Sequence, residues 1–275
     1  FPVTISGAVR CVHEASQHSK NCFITLTFSP ESLACRSNEW SLDVRDWQLF
    51  MKRLRKKFGP KIRFYHCGEY GEMCGNCNAS IFSCSCGSSV RPVLGRPHYH
   101  ACIFGFDFPD KELWKVINGQ NLYISRSLQE LWPHGFSTIG DVTFESAAYV
   151  ARYIMKKING GRAEDHYVRY DTGEVLKPEY TTMSRRPGIA REWIDKYVDD
   201  VYPHDFVIIN GKKYRPPRYY DGILKTERPY TFDEVKHIRE CNAERHVDNC
   251  TPERLNAREL VQLQAFKLLP RNKEF

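Results

Sequence analysis

Residues 23–28, Phe-Ile-Thr-Leu-Thr-Phe, alternate apolar side chains with threonine. A period of two predicts a half-buried strand, which Ser29-Pro30 stops. From Asp43 the period lengthens. Val44, Trp47, Met51 and Leu54 recur at helical spacing, predicting a helix capped by Asp43, running to about Lys57 and ended by Gly59-Pro60. Its other face carries Lys52, Arg53, Arg55, Lys56 and Lys57. Residues 61–67 and 97–104 read as two further strands, with a turn-rich, cysteine-rich insert between them. Short helices are expected over 110–117 and 124–132, and a strand over 136–144. A helix is then expected from about Ser146 to Ile158, ended by Asn159-Gly160-Gly161. The alternation lacks the Gly-rich strand-to-helix turns of a nucleotide-binding α/β fold. It predicts an α+β fold in which a central, mainly antiparallel sheet is flanked by helices.

The tail has a different character. Residues 206–209 (Phe-Val-Ile-Ile) and Lys213–Arg215 flank Asn210-Gly211, a strong hairpin signal, and Pro216-Pro217 then breaks the chain. Thr231 with Glu234 makes a capping-box pattern, and Thr251-Pro252 opens a last helix to about Leu269. The organisation expected is therefore a main domain over residues 1–200, carrying an inserted cysteine-rich loop at 73–88. Residues 201–275 follow as a hairpin plus helical extension. No internal repeat or low-complexity tract occurs.

Composition narrows the function. Among 275 residues, 40 lysines and arginines against 33 acidic residues leave a net charge of +7, which suits a polyanionic partner without proving one. Aromatics at 13% argue against disorder. No apolar run approaches the roughly 18 residues a membrane span needs, so a soluble protein is expected. Eleven cysteines, odd in number, clustered and without a preceding signal peptide, suit a reducing compartment better than a disulfide scaffold. The chain begins at Phe1 without a methionine, which leaves open a leader or further residues upstream.

Three constellations carry chemistry. His98 and His100 lie two apart in a predicted strand, so both imidazoles share a face and can hold one divalent cation; two surface histidines are the plainer alternative. A third, oxygen ligand is best supplied by Glu69 at the end of the preceding strand, with Glu72 as competitor. In the helix after Ser146, Ala147, Val150, Ala151, Ile154 and Ile158 share the core side. Tyr149 and Tyr153, four residues apart, fall on the other side with Lys157 continuing the stripe. A phenolate there can attack phosphorus, and a nearby lysine would favour it, although tyrosines on an ordinary amphipathic surface give the same pattern. Finally, Cys74-Gly-Asn-Cys77 and Cys84-Ser-Cys86 offer four thiolates of structural-zinc spacing, which two disulfides or free thiols would also explain. Cys67 is close enough to replace one ligand. Cysteines 11, 22, 35, 102, 241 and 250 are expected to pack as small hydrophobes or to sit free. Arg185, Arg186, Arg191 and the cations at 52–57 are candidate phosphate contacts or simply solvated charge. His66, His134 and His166 read as structural or surface residues.

A Phe-Ile-Thr-Leu-Thr-Phe strand, a His-x-His strand and a Tyr-x3-Tyr-x3-Lys helix resemble, in that order, the three motifs of the HUH endonuclease superfamily. The likeness is closer to the replication initiators of gokushovirus-type microviruses. It is carried by Cys67-Gly-Glu-Tyr-Gly71, Arg96-Pro-His-Tyr-His100, Trp132-Pro-His-Gly-Phe136, Gly140-Asp-Val-Thr through Lys157, Met183-Ser-Arg-Arg-Pro-Gly188 and Arg215-Pro-Pro-Arg-Tyr-Tyr220. It spans roughly residues 10–220. Three departures stand out: Tyr99 where the histidine motif usually has a hydrophobic residue, no basic cysteine-containing lead-in at the N-terminus, and the insert between Glu69 and His98.

The resemblance implies a Rep-type, ferredoxin-like fold, with residues 1–200 as the catalytic domain. It implies a Mg²⁺ or Mn²⁺ ion on His98 and His100, with Glu69 as the third ligand by the reading above, and Tyr149 and Tyr153 as the nucleophile pair. The expected activity is site-specific nicking and strand transfer of single-stranded DNA at a replication origin, through a 5′-phosphotyrosine, in rolling-circle replication of a small circular phage genome. With no Gly-x4-Gly-Lys-Ser/Thr loop, unwinding and synthesis would fall to a host helicase and DNA polymerase in the bacterial cytoplasm. Two rivals remain at this level: a non-catalytic zinc-containing DNA-binding or packaging protein, and a conjugative relaxase or transposase on the same scaffold.

Overall fold

The structure, a computed structural model, describes residues 2–37, 40–71, 95–117, 119–156, 163, 166–168 and 173–268. The chain divides into two compact units, Phe1–Lys196 and Tyr197–Phe275.

The first unit is an α+β domain built on a seven-stranded antiparallel sheet. Its strands are β1 (Asn21–Thr27), β2 (Arg63–Tyr70), β3 (Pro97–Phe104), β4 (Lys111–Ile117), β5 (Gln120–Ser125), β6 (Ser137–Gly140) and β7 (Tyr180–Met183). They run in the order β4-β5-β6-β1-β3-β2-β7. The helices are α1 (Pro2–Ala15), α2 (Pro30–Ala34), α3 (Val44–Phe58), α4 (Arg126–Leu131) and α5 (Phe144–Lys156), with α6 (Arg191–Val201) reaching into the second unit. Backbone at Tyr197 within α6 is non-helical, where the second unit begins.

Each sheet face has its own cover. Trp47, Phe50, Met51 and Leu54 of α3 bury against Ile24, Leu26, Tyr99, Ala101 and Ile103. Asp43 caps α3 as expected, accepting from Arg45 N. Tyr99, the unusual residue between the histidines, belongs to this side. Its ring is fully buried, and its hydroxyl accepts from Asp43 N at 3.1 Å and donates to Asp46 at 2.8 Å, tying β3 to the start of α3. His66 is also here, stacked on Trp47 at 4.0 Å. The opposite face lies under α1 and α5, whose Ala147, Val150 and Ala151 are buried. Gly7 lets those helices meet, since a Cβ there would stand 2.8 Å from Ala151 Cβ and 3.1 Å from the Tyr65 hydroxyl.

Several expectations need correction. Residues 111–117 form strand β4, not a helix: Gly119 at positive φ turns the chain back, and pairing with β5 overrides the spacing of Leu113, Val116 and Ile117. The strand expected over 136–144 is only Ser137–Gly140, because Thr143 and Ser146 cap one another's backbone N–H groups and start α5 at Phe144. Helices α1, α2 and α6 and strands β5 and β7 have no counterpart in the expectations.

In the second unit, β8 (Val207–Ile209) and β9 (Lys212–Tyr214) form the expected hairpin, with Asn210 and Gly211 both at positive φ. Helices α7 (Arg218–Glu227), α8 (Pro229–Glu244) and α9 (Pro252–Leu268) follow. Thr231 is not a cap: α8 opens two residues earlier, with Pro229 in its first turn and no side-chain cap. Arg239 bridges Asp205 and Asp221, and the Tyr202 hydroxyl donates to Asp221.

Candidate active site

Antiparallel pairing sets Glu69 of β2 directly opposite His98 of β3. Alternation along β3 then brings His100 to the same face, the one under α1 and α5. Glu69 Oε1 lies 2.9 Å from His98 Nε2 and 2.7 Å from His100 Nε2. Among the described residues this is the cluster whose ligand atoms, two imidazole nitrogens and a carboxylate oxygen, converge within 4.8 Å. Glu69 and His100 are each 2% exposed, whereas His98 is open to solvent on one side. Gly68 makes room beside the cluster on the other face: a Cβ there would meet Tyr180 at 2.8 Å and Leu42 and Tyr99 at 3.1 Å.

Each imidazole is oriented through its second nitrogen. His98 Nδ1 lies 3.0 Å from the Arg96 carbonyl, which can only accept, so Nδ1 carries the proton. Its Nε2 faces the Glu69 oxygen, so that second nitrogen either carries a proton, making the imidazole cationic, or binds a metal cation instead. His100 Nδ1 lies 2.9 Å from Thr25 Oγ1 on β1. Burial opposes ionisation of Glu69, but the positive charge of His98 and hydrogen bonds from His100 and His98 outweigh it and hold the carboxyl below the usual carboxylate range. A donor set of two oriented imidazoles and one buried carboxylate fits a divalent cation.

Helix α5 delivers the fourth member. Ala147, Val150 and Ala151 anchor it to the sheet, which leaves Tyr149 half-buried above the cluster. The Tyr149 hydroxyl donates to Glu69 Oε1 at 2.9 Å, and its ring packs edge-on to His100 with centroids 4.9 Å apart. Arg152, exposed and one turn on, places its guanidinium carbon 6.0 Å from the Tyr149 ring centroid. Tyr153 follows in the same helix, but its side chain lies outside the described residues, as do Lys157, Glu72, Cys74, Cys77, Cys84 and Cys86. Cys67 is buried on β2, opposite His100 in register, and like Cys11, Cys22 and Cys102 it is a thiol and not half of a disulfide.

Two orienting groups went unread in the sequence. Thr25 was legible in principle: the threonines of the first strand occupy one face, and antiparallel pairing puts Thr25 opposite His100. The Arg96 carbonyl leaves no side-chain signal. Of the candidate phosphate contacts, Arg53 and Arg55 instead bond the Leu131 and Ile62 carbonyls, and Lys57 pairs with Glu130. Arg185 and Arg186 are exposed on a loop whose neighbours Pro187, Gly188 and Ile189 accept from Arg63 and Arg10.

The family described as Replication-associated protein ORF2/G2P matches residues 21–77 and 91–158. Those stretches contain Glu69, His98, His100, Tyr149, Tyr153 and Lys157 and omit 78–90, where Cys84 and Cys86 lie. The chain is 28% identical over 270 residues to Replication-associated protein VP4 of Bdellovibrio phage phiMH2K, covering 94% of this chain and 71% of that protein. It is 30% identical over 252 residues to Replication-associated protein ORF2 of Spiroplasma virus 4, covering 86% and 69%. Against Replication-associated protein ORF4 of Chlamydia phage 1 the figures are 27% over 227 residues, 79% and 49%. No solved structure matches the chain.

Proposed function

The chain belongs to the replication-associated protein ORF2/G2P family, and on that premise we propose that it is a site-specific nuclease and strand transferase for single-stranded DNA that starts and ends rolling-circle replication of a small circular phage genome. One observation carries the reading: the Tyr149 hydroxyl sits 2.9 Å from the same Glu69 oxygen on which His98 and His100 converge. A tyrosine hydroxyl beside a metal-type donor set suits nucleophilic attack on a phosphodiester through a covalent phosphotyrosine.

His98, His100 and Glu69 would hold Mg²⁺ or Mn²⁺, which when bound supplies Lewis-acid polarisation of a phosphate oxygen. The chain's own groups do the rest. Glu69 accepts the Tyr149 hydrogen bond and aims the hydroxyl oxygen. As the hydroxyl proton passes to water, that oxygen bonds to phosphorus, the bond from phosphorus to the 3′ oxygen breaks, and the 3′ oxygen takes up a proton from water. The product is a 5′-phosphotyrosine and a free 3′-OH. Because the ester is conserved in the adduct, a later 3′-OH can displace the tyrosine and close a circle without a nucleotide cofactor. Tyr153, one turn along, is assigned the second cleavage, and Lys157 the stabilisation of phenolate and phosphorane charge. Residues 1–200 are assigned the catalysis and 201–275 an extension. Cys74, Cys77, Cys84 and Cys86 are assigned a structural Zn²⁺ on their spacing. Origin DNA is the substrate, and a host helicase and polymerase in the bacterial cytoplasm complete the cycle. No helix among the described residues is long and apolar enough to cross a membrane.

The deciding test incubates the protein with labelled single-stranded origin DNA in Mn²⁺ and resolves covalent adducts by denaturing electrophoresis. Wild type forms an adduct, Tyr149→Phe and Tyr153→Phe each lose one cleavage, and the double variant forms none. Adduct from the double variant removes the nucleophile assignment. No adduct from wild type on its own origin favours a non-catalytic DNA-binding or packaging protein, and a scissile site in a plasmid transfer origin favours a relaxase.

A further inference from the structure

The sheet is not evenly covered. Helices α1 and α5 lie over β2, β3 and β7, while across the sheet Trp114 of β4 and Phe136 before β6 are 44% and 47% exposed. Their rings meet edge to face with centroids 4.9 Å apart. Trp114 is the residue left over at the β4 bulge, between the pairs Leu113–Tyr123 and Lys115–Leu122. A bulge re-aims a side chain, and here it turns the indole onto Phe136. Lys115 Nζ stands 4.1 Å over the Trp114 ring, and Lys111 Nζ stands 4.8 Å from the Tyr123 ring.

The placement of Phe136 is built, not incidental. The Phe136 carbonyl accepts from Thr27 N at 2.9 Å and Thr27 Oγ1 at 2.7 Å, and Trp132 Nε1 donates to the Thr27 carbonyl at 2.7 Å. Gly135 runs so close to β1 that a Cβ would stand 2.4 Å from the Thr27 carbonyl oxygen and 2.6 Å from Ser29 N. Thr27 is in turn the register partner of His98. Two strand spacings, about 10 Å, therefore separate Phe136 from the candidate metal ligand. Counting back two from Thr138, which pairs with Thr25 beside His100, puts Phe136 on the same face of the sheet.

We propose that Trp114 and Phe136 form a stacking platform for unpaired bases of the DNA strand entering the site, with Lys115 neutralising its phosphate backbone. This deepens the functional reading above and rests on it for the identity of the strand. Half-exposed aromatic rings beside lysines match the pairing of base and phosphate in a single strand. They suit a protein partner less well, because interface cores are depleted in lysine.

The test measures binding of 5′-fluorescein dT20 by anisotropy in EDTA, where no cleavage occurs, beside a fully abasic 20-mer and a duplex. Wild type should prefer dT20 to the abasic strand, a comparison that needs no variant to fold. Trp114→Ala and Phe136→Ala should each weaken dT20 binding by about five- to hundredfold, leave abasic and duplex binding unchanged, and be rescued by Trp114→Phe. Equal binding of dT20 and the abasic strand by wild type, or alanine variants that bind like wild type, overturns the platform. The adduct assay separates the two readings. Wild-type adduct with unchanged alanine-variant affinity sinks the platform alone. Weakened variant affinity without any wild-type adduct sinks the nuclease alone.

Discussion

Tyr149 and Glu69 are 80 residues apart in the chain, yet their oxygens are 2.9 Å apart, joining helix α5 to the sheet at the point where the two histidines converge. The two residues should nevertheless separate experimentally. Glu69→Gln removes the one anion among the three donors and should lower Mn²⁺ affinity by about a hundredfold or more. Tyr149→Phe removes a hydroxyl that donates to that anion, so it should keep Mn²⁺ affinity within about threefold while the cleavage assigned to Tyr149 falls by about a thousandfold and that of Tyr153 persists. Titration of Mn²⁺ followed by electron paramagnetic resonance measures the first quantity. Equal loss of Mn²⁺ in both variants would place the tyrosine among the ligands and remove it as nucleophile.

Thr25 orients His100 through Nδ1 from the neighbouring strand. Thr25→Val keeps the β-branched shape and deletes the hydroxyl. Outer-shell partners of this kind are worth about ten- to a hundredfold in metal affinity. Thr25→Val should therefore bind Mn²⁺ that much more weakly at unchanged circular dichroism, and Thr25→Ser should recover most of the loss. If valine binds as wild type does, the orienting role of Thr25 is wrong.

The sequence shows some of this arrangement and hides the rest for physical reasons. The period of two in 23–28 and the helical period after Asp43 persist because one face of each element is more buried than the other, so periodicity reports the fold directly. Helix α1 is hard to read because its buried positions mix Ala8, Val9 and Cys11 with Thr4, His13 and Glu14, and Gly7 lies at a close approach to Ala151. Strand β7, half-buried throughout, has no alternation to read. Strand β4 reads as helix because Leu113, Trp114 and Val116 are exposed and its bulge shifts their spacing. At the site, His98 and His100 were visible as a same-face pair. The choice of Glu69 followed from strand ends. Its partnering with His98 depends on the register between two strands in which the paired residues are 29 positions apart, which no local pattern encodes.

Glu14 ties α1 to the loop carrying Arg185 and Arg186. It is buried, pairs with Arg63, and accepts from Ala190 N at 2.6 Å, while Arg63 also reaches the Pro187 and Gly188 carbonyls. Glu14→Ala strands a half-buried guanidinium and a buried amide donor. Breaking one side of such a pair costs about 3–5 kcal/mol. Urea unfolding should show that loss in the midpoint, and amide exchange at 188–190 should quicken relative to the sheet. A loss under about 1 kcal/mol, the level of an exposed pair, would contradict the buried role.

Acid sensitivity should come from two buried imidazoles. His13 stacks on Trp193 with centroids 3.4 Å apart, and burial lowers its pKa to about 3 from an ordinary 6.5. His66, enclosed against Trp47, is likewise held far below the ordinary value by burial. A lowered imidazole pKa means that the unfolded chain binds a proton the native chain refuses. Stability is then complete above pH 6.5 and declines as pH falls from there toward 3. Well below pH 6.5 each such histidine contributes a slope of about 1.4 kcal/mol per pH unit. Urea unfolding between pH 7.5 and 5 should show a plateau and then that decline. His13→Phe, which keeps the ring against Trp193, should remove about half of the slope near pH 5.5 and leave the plateau near its original height. An unchanged slope in His13→Phe would mean that the acid sensitivity resides elsewhere.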